Sequence, residues 1–108
     1  MLNQIVIVGR LVQDPEIKEL ENGKKVTNIT LAVPRSYKNS EGIYETDFIP
    51  CIVWNRLAEN TEEFCKKGDI VGVKGRLQTD TYEKDGKNIT KLNVVAEKVT
   101  FLSSKKED

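Results

Sequence analysis

Aromatic rings and cations recur together in this chain, and both can hold a ligand without breaking a bond. There are one tryptophan, three tyrosines and three phenylalanines, only 6% of the residues, so the place of each carries weight. Tyr37 stands between Arg35 and Lys38. Phe48 and Trp54 are an even number of residues apart, and Arg56 follows. Tyr82 precedes Lys84 and Lys87, while Lys74 and Arg76 alternate just upstream. Every nucleic-acid base has a π-face, so a ring can stack on any of them at about 1–3 kcal/mol per base. Lys and Arg neutralise phosphates and release counterions. The combination suits a single-stranded nucleic acid. A plainer reading fits the same residues: Phe48 and Trp54 fill a barrel interior, the tyrosines are ordinary surface aromatics, and the cations are solvated charges.

Catalysis is poorly served. The chain has no histidine, the commonest general base and metal ligand. Glu62 and Glu63 fall on the polar side of a helical pattern, and Asp80, Glu83 and Asp85 cluster near a turn among lysines. Exposed acids of this kind keep ordinary proton affinities. No nucleophile elbow, phosphate-binding loop or zinc spacing is present. Gly9, Gly72 and Gly75 sit inside strand patterns, where glycine marks a bend more often than a phosphate cradle. Cys51 and Cys65, the two cysteines, read as reduced, partly buried thiols. An enzyme is not expected, nor a metal or a cofactor.

The elements that must position these residues are mostly strands. Gln4 to Val12 is rich in Ile and Val and ends at Gln13-Asp14-Pro15. Glu21-Asn22-Gly23-Lys24 is a hairpin turn signal. The second strand, Lys25 to Val33, puts Ile29, Leu31 and Val33 on one face and Asn28, Thr30 and Ala32 on the other. Pro34 is expected to end it, leaving Arg35 to Tyr44 as a polar loop. The third strand, Thr46 to Trp54, turns Phe48, Pro50, Ile52 and Trp54 one way and Ile49, Cys51 and Val53 the other. Pro50 predicts an edge or a bulge in it.

One helix follows, with Leu57, Thr61, Phe64 and Cys65 on its apolar face, Asn55 as N-cap and Gly68 as C-cap. Ile70 to Thr79 is the fourth strand, Lys84-Asp85-Gly86-Lys87 a second hairpin turn, and Thr90 to Phe101 the fifth strand. Phe64 and Phe101 are expected in the core. Five short antiparallel strands with a helix between the third and fourth is the order of the OB-fold, an all-β Greek-key barrel. Residues 1–102 are expected to form that domain, with a short polar end over 103–108.

The chain has 108 residues, enough for one domain and one core. It is 38% hydrophobic and 31% charged, which fits a globular protein. Its apolar runs are far too short for a membrane helix, and its start lacks a basic signal region, which favours the cytoplasm. There are 17 basic and 17 acidic residues, so any affinity for phosphate must come from local placement rather than net charge.

Leu2-Asn3-Gln4-Ile5-Val6-Ile7-Val8-Gly9-Arg10-Leu11 with Asp14-Pro15-Glu16 resembles the opening of the bacterial single-stranded DNA-binding proteins. The likeness continues through Asn22-Gly23, Val26 to Val33, Asp47-Phe48-Ile49 and Trp54 to Asn60. It resumes in Lys66-Lys67-Gly68-Asp69, Gly75 to Thr79 and Tyr82. It spans Leu2 to about Leu102, and the order and spacing of the pieces are specific. The resemblance implies a homotetramer of OB-folds that wraps single-stranded DNA in replication, recombination, repair or DNA uptake, in the nucleoid-associated cytoplasm. It implies stacking at Tyr37, Phe48, Trp54 and Tyr82, backbone contacts near Arg10, Arg35, Arg56, Lys74 and Arg76, and subunit pairing near Asn3 to Val8. Lys38, Lys84 and Lys87 join these from their places beside the rings.

Two departures stand out. Family members continue into a Gly/Pro/Gln-rich linker and an acidic tip ending in Pro-Phe that recruits partner enzymes, whereas this sequence stops at Lys105-Lys106-Glu107-Asp108. A domain-sized piece and a short paralogue both fit, and recruitment through such a tip is not expected. Some members also carry Trp where Tyr37, Phe48 and Tyr82 stand here. An alternative remains: an accessory OB-fold subunit of a replication assembly whose aromatic face binds protein.

Overall fold

The computed structural model describes residues 1–104. Its elements are β1 (Ile5–Leu11), β2 (Lys18–Glu19), β3 (Lys25–Lys38), β4 (Tyr44–Trp54), α1 (Asn55–Phe64), β5 (Ile70–Lys84) and β6 (Lys87–Ser103). Alternation of apolar residues sends Ile7 and Leu11, Ile29 and Leu31, Cys51 and Val53, Val71 and Val73, and Val94 and Ala96 into one core. β1 pairs with β5, β5 with β6, β6 with β4, β4 with β3, and β3 returns to β1, so the sheet closes into a five-stranded barrel. β2 hangs on β3 outside the ring. The closing seam is short: β4 and β6 run parallel and pair only at Cys51↔Val94 and Ile52↔Val95.

Closure requires sharp bending, and glycine permits it. A Cβ on Gly75 would lie 2.1 Å from the Val95 carbonyl oxygen. The β5–β6 register shifts between Lys74 and Gly75, where β6 carries the extra residue Glu97, a bulge that bends the ladder around the barrel. The helix covers one end of the barrel with Ala58, Thr61 and the following Cys65. The Glu62 carboxylate accepts the Ile17 N–H at 2.9 Å, and Asp14 accepts the Lys67 N–H at 2.7 Å, tying the β1–β2 connection to the helix region. No helix among the described residues is long and apolar enough to cross a membrane.

Several local expectations are corrected. Pro34 does not end its strand: it pairs opposite Thr46, and β3 runs on to Lys38 through a register shift. β1 pairs with β3 only at Arg10↔Ala32 and Leu11↔Leu31, so beyond Ala32 one edge of β3 is open and a missing N–H costs little there. The expected polar loop shrinks to a turn in which Asn39 Oδ1 accepts the N–H groups of Glu41 and Ile43. Pro50 does sit at an edge, since β6 reaches β4 only at the next two residues; it pairs regularly with Thr30, without a bulge.

Asn55 is not an N-cap. It has φ 53 and its side chain accepts the Lys25 N–H at 3.2 Å, while Trp54 precedes the helix without a capping bond. Gly68 is not the C-cap either: the helix stops at Phe64, and Gly68 turns the chain into β5 while donating to the Leu11 carbonyl at 2.9 Å. Phe64 and Phe101 are exposed, not core. Small residues at Ala58, Thr61 and Cys65 let the helix lie close over the barrel end, which leaves the larger Phe64 off the buried stripe. β5 and β6 outrun their expected bounds and meet in a two-residue turn, Asp85-Gly86, with φ 52 and 76. Ser103 and Ser104 are exposed; the rest of the expected polar end, residues 105–108, lies outside the described residues.

Candidate nucleic-acid interface

Residues paired across a ladder share a face, so register alone maps the outer wall. Along β4 the outward residues are Phe48, Pro50, Ile52 and Trp54, opposite Ala32, Thr30, Asn28 and Val26 of β3. Ile52 also pairs with Val95 of β6, and Val95 with Arg76 of β5. The same face continues through Gln78↔Asn93, Asp80↔Lys91, Tyr82↔Ile89 and Lys84↔Lys87. Phe48, Trp54, Arg76, Tyr82, Lys84 and Lys87 therefore occupy one continuous outer surface. Phe48 is 64% exposed, Tyr82 49% and Trp54 37%. Those exposures remove the barrel-interior reading for Phe48 and Trp54.

Arg56 is exposed in the first turn of α1, directly after this face, and Lys74 continues the outward row of β5 beyond the bulge. Arg10 stands apart. β1 lies between β5 and β3 in the ring, and the Arg10 guanidinium donates to the Gly68 carbonyl at 2.6 Å. Tyr37 is 63% exposed but lies within the register shift, on an arm that β3 and β4 build beyond the barrel. Lys38 sits 5.6 Å over the ring of Tyr44, an exposed aromatic that sequence reasoning left unassigned.

Arg35 is already engaged. Its Nε and Nη2 donate to the two oxygens of Asp47 at 3.1 and 2.9 Å, and its Nη1 to Glu45 at 2.7 Å. The hydrogen bond from Arg35 holds the Asp47 carboxyl below the usual carboxylate range, against an opposing desolvation effect. The same bond, with the charges of Asp47 and Glu45, keeps the guanidinium more firmly protonated than usual.

A second polar chain crosses the outer face. Arg76 donates to Gln78 at 2.5 Å, Gln78 to Asp80 at 3.3 Å, and Asn93 to the other Asp80 oxygen at 2.7 Å. Gln78, Asp80 and Asn93 were not among the expected site residues; their alternation along two paired strands is the signal that places them. Below Phe48, where β4 and β6 diverge, a groove of about 420 Å³ opens between Ile5, Ile7, Pro50, Leu77 and Leu92. Cys51 and Cys65 are both buried and free, and burial pushes the Cys51 thiol up to about 11. Neither takes part in the surface.

Exposed rings, fixed amides and cations on the outer wall of a small closed barrel define an OB-type binding module, able to stack planar groups and hold phosphates. The match to known proteins is to the same class. Residues 2–102 fit the model of the single-strand binding protein family, and the chain belongs to that family. It is 50% identical over 106 residues to single-stranded DNA-binding protein 3 of Listeria innocua, covering 97% of this chain and 66% of that protein. It is 44% identical to single-stranded DNA-binding protein B of Bacillus subtilis, covering 97% and 94%. Single-stranded DNA-binding protein A of Bacillus subtilis is 49% identical, covering 97% and 62%. Against the first and third of these the chain spans a little less than two thirds of the relative's length.

Proposed function

We propose that this protein binds single-stranded DNA with little regard to sequence and performs no bond-breaking chemistry. The observation that carries this is the shared outer face on which Phe48, Trp54 and Tyr82 stand exposed around Arg76. Bases stack on the rings, and Arg76, Lys74, Arg56, Lys84 and Lys87 hold the backbone. The names of the Listeria and Bacillus relatives point the same way. Such binding serves replication, recombination, repair or DNA uptake in the cytoplasm.

The unit that binds is a homotetramer, with pairing through β1. Val6 and Val8 support this: both face outward and are 67% and 52% exposed on the strand, an apolar edge that a second copy would cover. Oligo(dT) titrated into the protein, read by Trp54 fluorescence at low and high salt with duplex DNA as control, tests the reading. Strong quenching by the single strand that weakens as salt rises is expected. A flat trace together with a blank independent binding assay would overturn it and favour a protein partner at the aromatic face.

A further inference from the structure

We propose that Arg35 is a positioning residue that braces the arm carrying Tyr37, and that it does not bind phosphate. The inference rests on the single-stranded DNA reading above. Among the described residues, the β3–β4 arm past Ala32 and Phe48 pairs only with itself, and its ladder is interrupted between Pro34 and Lys38. Tyr37 lies inside that interruption, where backbone pairing cannot fix it.

Arg35 supplies the missing link through side chains. Its fork meets both oxygens of Asp47, and its remaining terminal nitrogen reaches Glu45 Oε2. The other Glu45 oxygen accepts from Asn39 Nδ2 at 3.0 Å, and Asn39 Oδ1 in turn accepts two N–H groups of the arm's turn. One run of hydrogen bonds thus connects Asp47, beside the barrel, to the tip. A planar bidentate fork gives direction as well as attraction.

The same geometry argues against a phosphate role. Two carboxylates surround one guanidinium, so the group presents a net negative charge to an approaching phosphate. Asp47 is the neighbour of Phe48 on β4, and successive strand residues point to opposite faces. Arg35 is therefore held on the side away from the stacking ring.

The test compares Arg35→Ala with the double variant Glu45→Gln/Asp47→Asn, which keeps the arginine and removes its anchors. All of these side chains are at least partly exposed, and circular dichroism confirms the barrel in each variant. Binding of oligo(dT) is measured across a salt series, and backbone ¹⁵N relaxation of Tyr37 to Tyr44 is measured in the free protein. A brace predicts that both variants weaken binding about fivefold or more, near the low end of one lost stacking contact. The salt slope of Arg35→Ala stays at the wild-type value, the loss in the double variant persists at high salt where its removed carboxylates would be screened, and the arm becomes more mobile in both. A phosphate ligand predicts the reverse pattern: Arg35→Ala lowers the salt slope by about 0.7, the single-strand value for one contact. The double variant then binds more tightly even at high salt, where lost carboxylate repulsion is screened, because its arginine is freed, and either result overturns the brace. Wild-type protein that binds no oligo(dT) defeats the DNA reading instead, and the relaxation data alone then decide whether Arg35 orders the arm.

Discussion

Replacing Phe48 with leucine separates stacking from folding. Phe48 is 64% exposed, so only about a third of its surface is covered by neighbours such as the facing Ala32. Leucine keeps most of that covered apolar surface, and exchanges that conserve it cost less than about 1.5 kcal/mol. What leucine lacks is a π-face. Losing one stacked base costs about 1–3 kcal/mol, which converts to roughly a 5- to 140-fold weaker Kd at 1.4 kcal/mol per tenfold. Trp54 remains as reporter, so oligo(dT) titration by fluorescence gives the Kd while thermal unfolding gives the stability. The slope of log Kd against log salt should not change, because no cation has been removed. Unchanged affinity in a folded Phe48→Leu protein would refute the stacking role. A loss of affinity that tracks a collapse in Tm would show the ring to be structural.

Other outcomes follow from the same geometry. Gly75→Ala forces a Cβ to within 2.1 Å of the Val95 carbonyl oxygen and should destabilise the barrel, readable by calorimetry as a lower Tm. Overpacking of this kind costs about 1–3 kcal/mol, and about 4–8 °C of Tm per kcal/mol is typical of a domain near this size. Asp80→Asn removes a negative charge from the outer face and should tighten single-strand binding roughly 2- to 5-fold at low salt, the gain fading as salt screens it. Asp47 has a carboxyl held below its usual 3.8, so its contribution is complete above about pH 4 and is lost as pH falls through the lower folded value. Thermal midpoints of wild type and Asp47→Asn should therefore differ at neutral pH and converge in acid. Cys51 and Cys65 are buried, and a thiol reagent at pH 8 should modify them only as fast as the barrel opens.

The strand order was legible because inward residues alternate without interruption in each strand: Ile29 and Leu31, Cys51 and Val53, Val71 and Val73. The same alternation puts Phe48 and Trp54 together on one side of β4, but both sides of that strand are apolar, so it does not say which side faces out. The arms were not legible. Pro34 is a local stop signal, but whether a strand continues depends on how many neighbours it has, and β1 leaves β3 just before that point. Phe64 and Phe101 look like core residues by type, yet the space over the barrel end is set by the smaller Ala58, Thr61 and Cys65. Arg35 reads as a free cation in sequence, since its partners Glu45 and Asp47 come close only when β3 and β4 pair. Side-chain periodicity reports which face a residue takes, and it is silent about what the facing strand brings.

The closed ring also dictates an order of events during synthesis. β3 and β4 are adjacent in the chain and can pair as soon as Trp54 has been made. β1 is made first but finds most of its partners on β5, where Ile7 meets Val73 and Val6 meets Lys74. Until β5 emerges, β1 has only Arg10 and Leu11 to rest against β3, and its inward Ile7 stays bare. The seam between Cys51 and Val94 must close last of all. Such distant pairings fold slowly, over roughly milliseconds to seconds. A nascent chain halted before β6 is thus a curved sheet with two open edges, prone to sticking to its own copies, so the last strand decides whether the product is soluble.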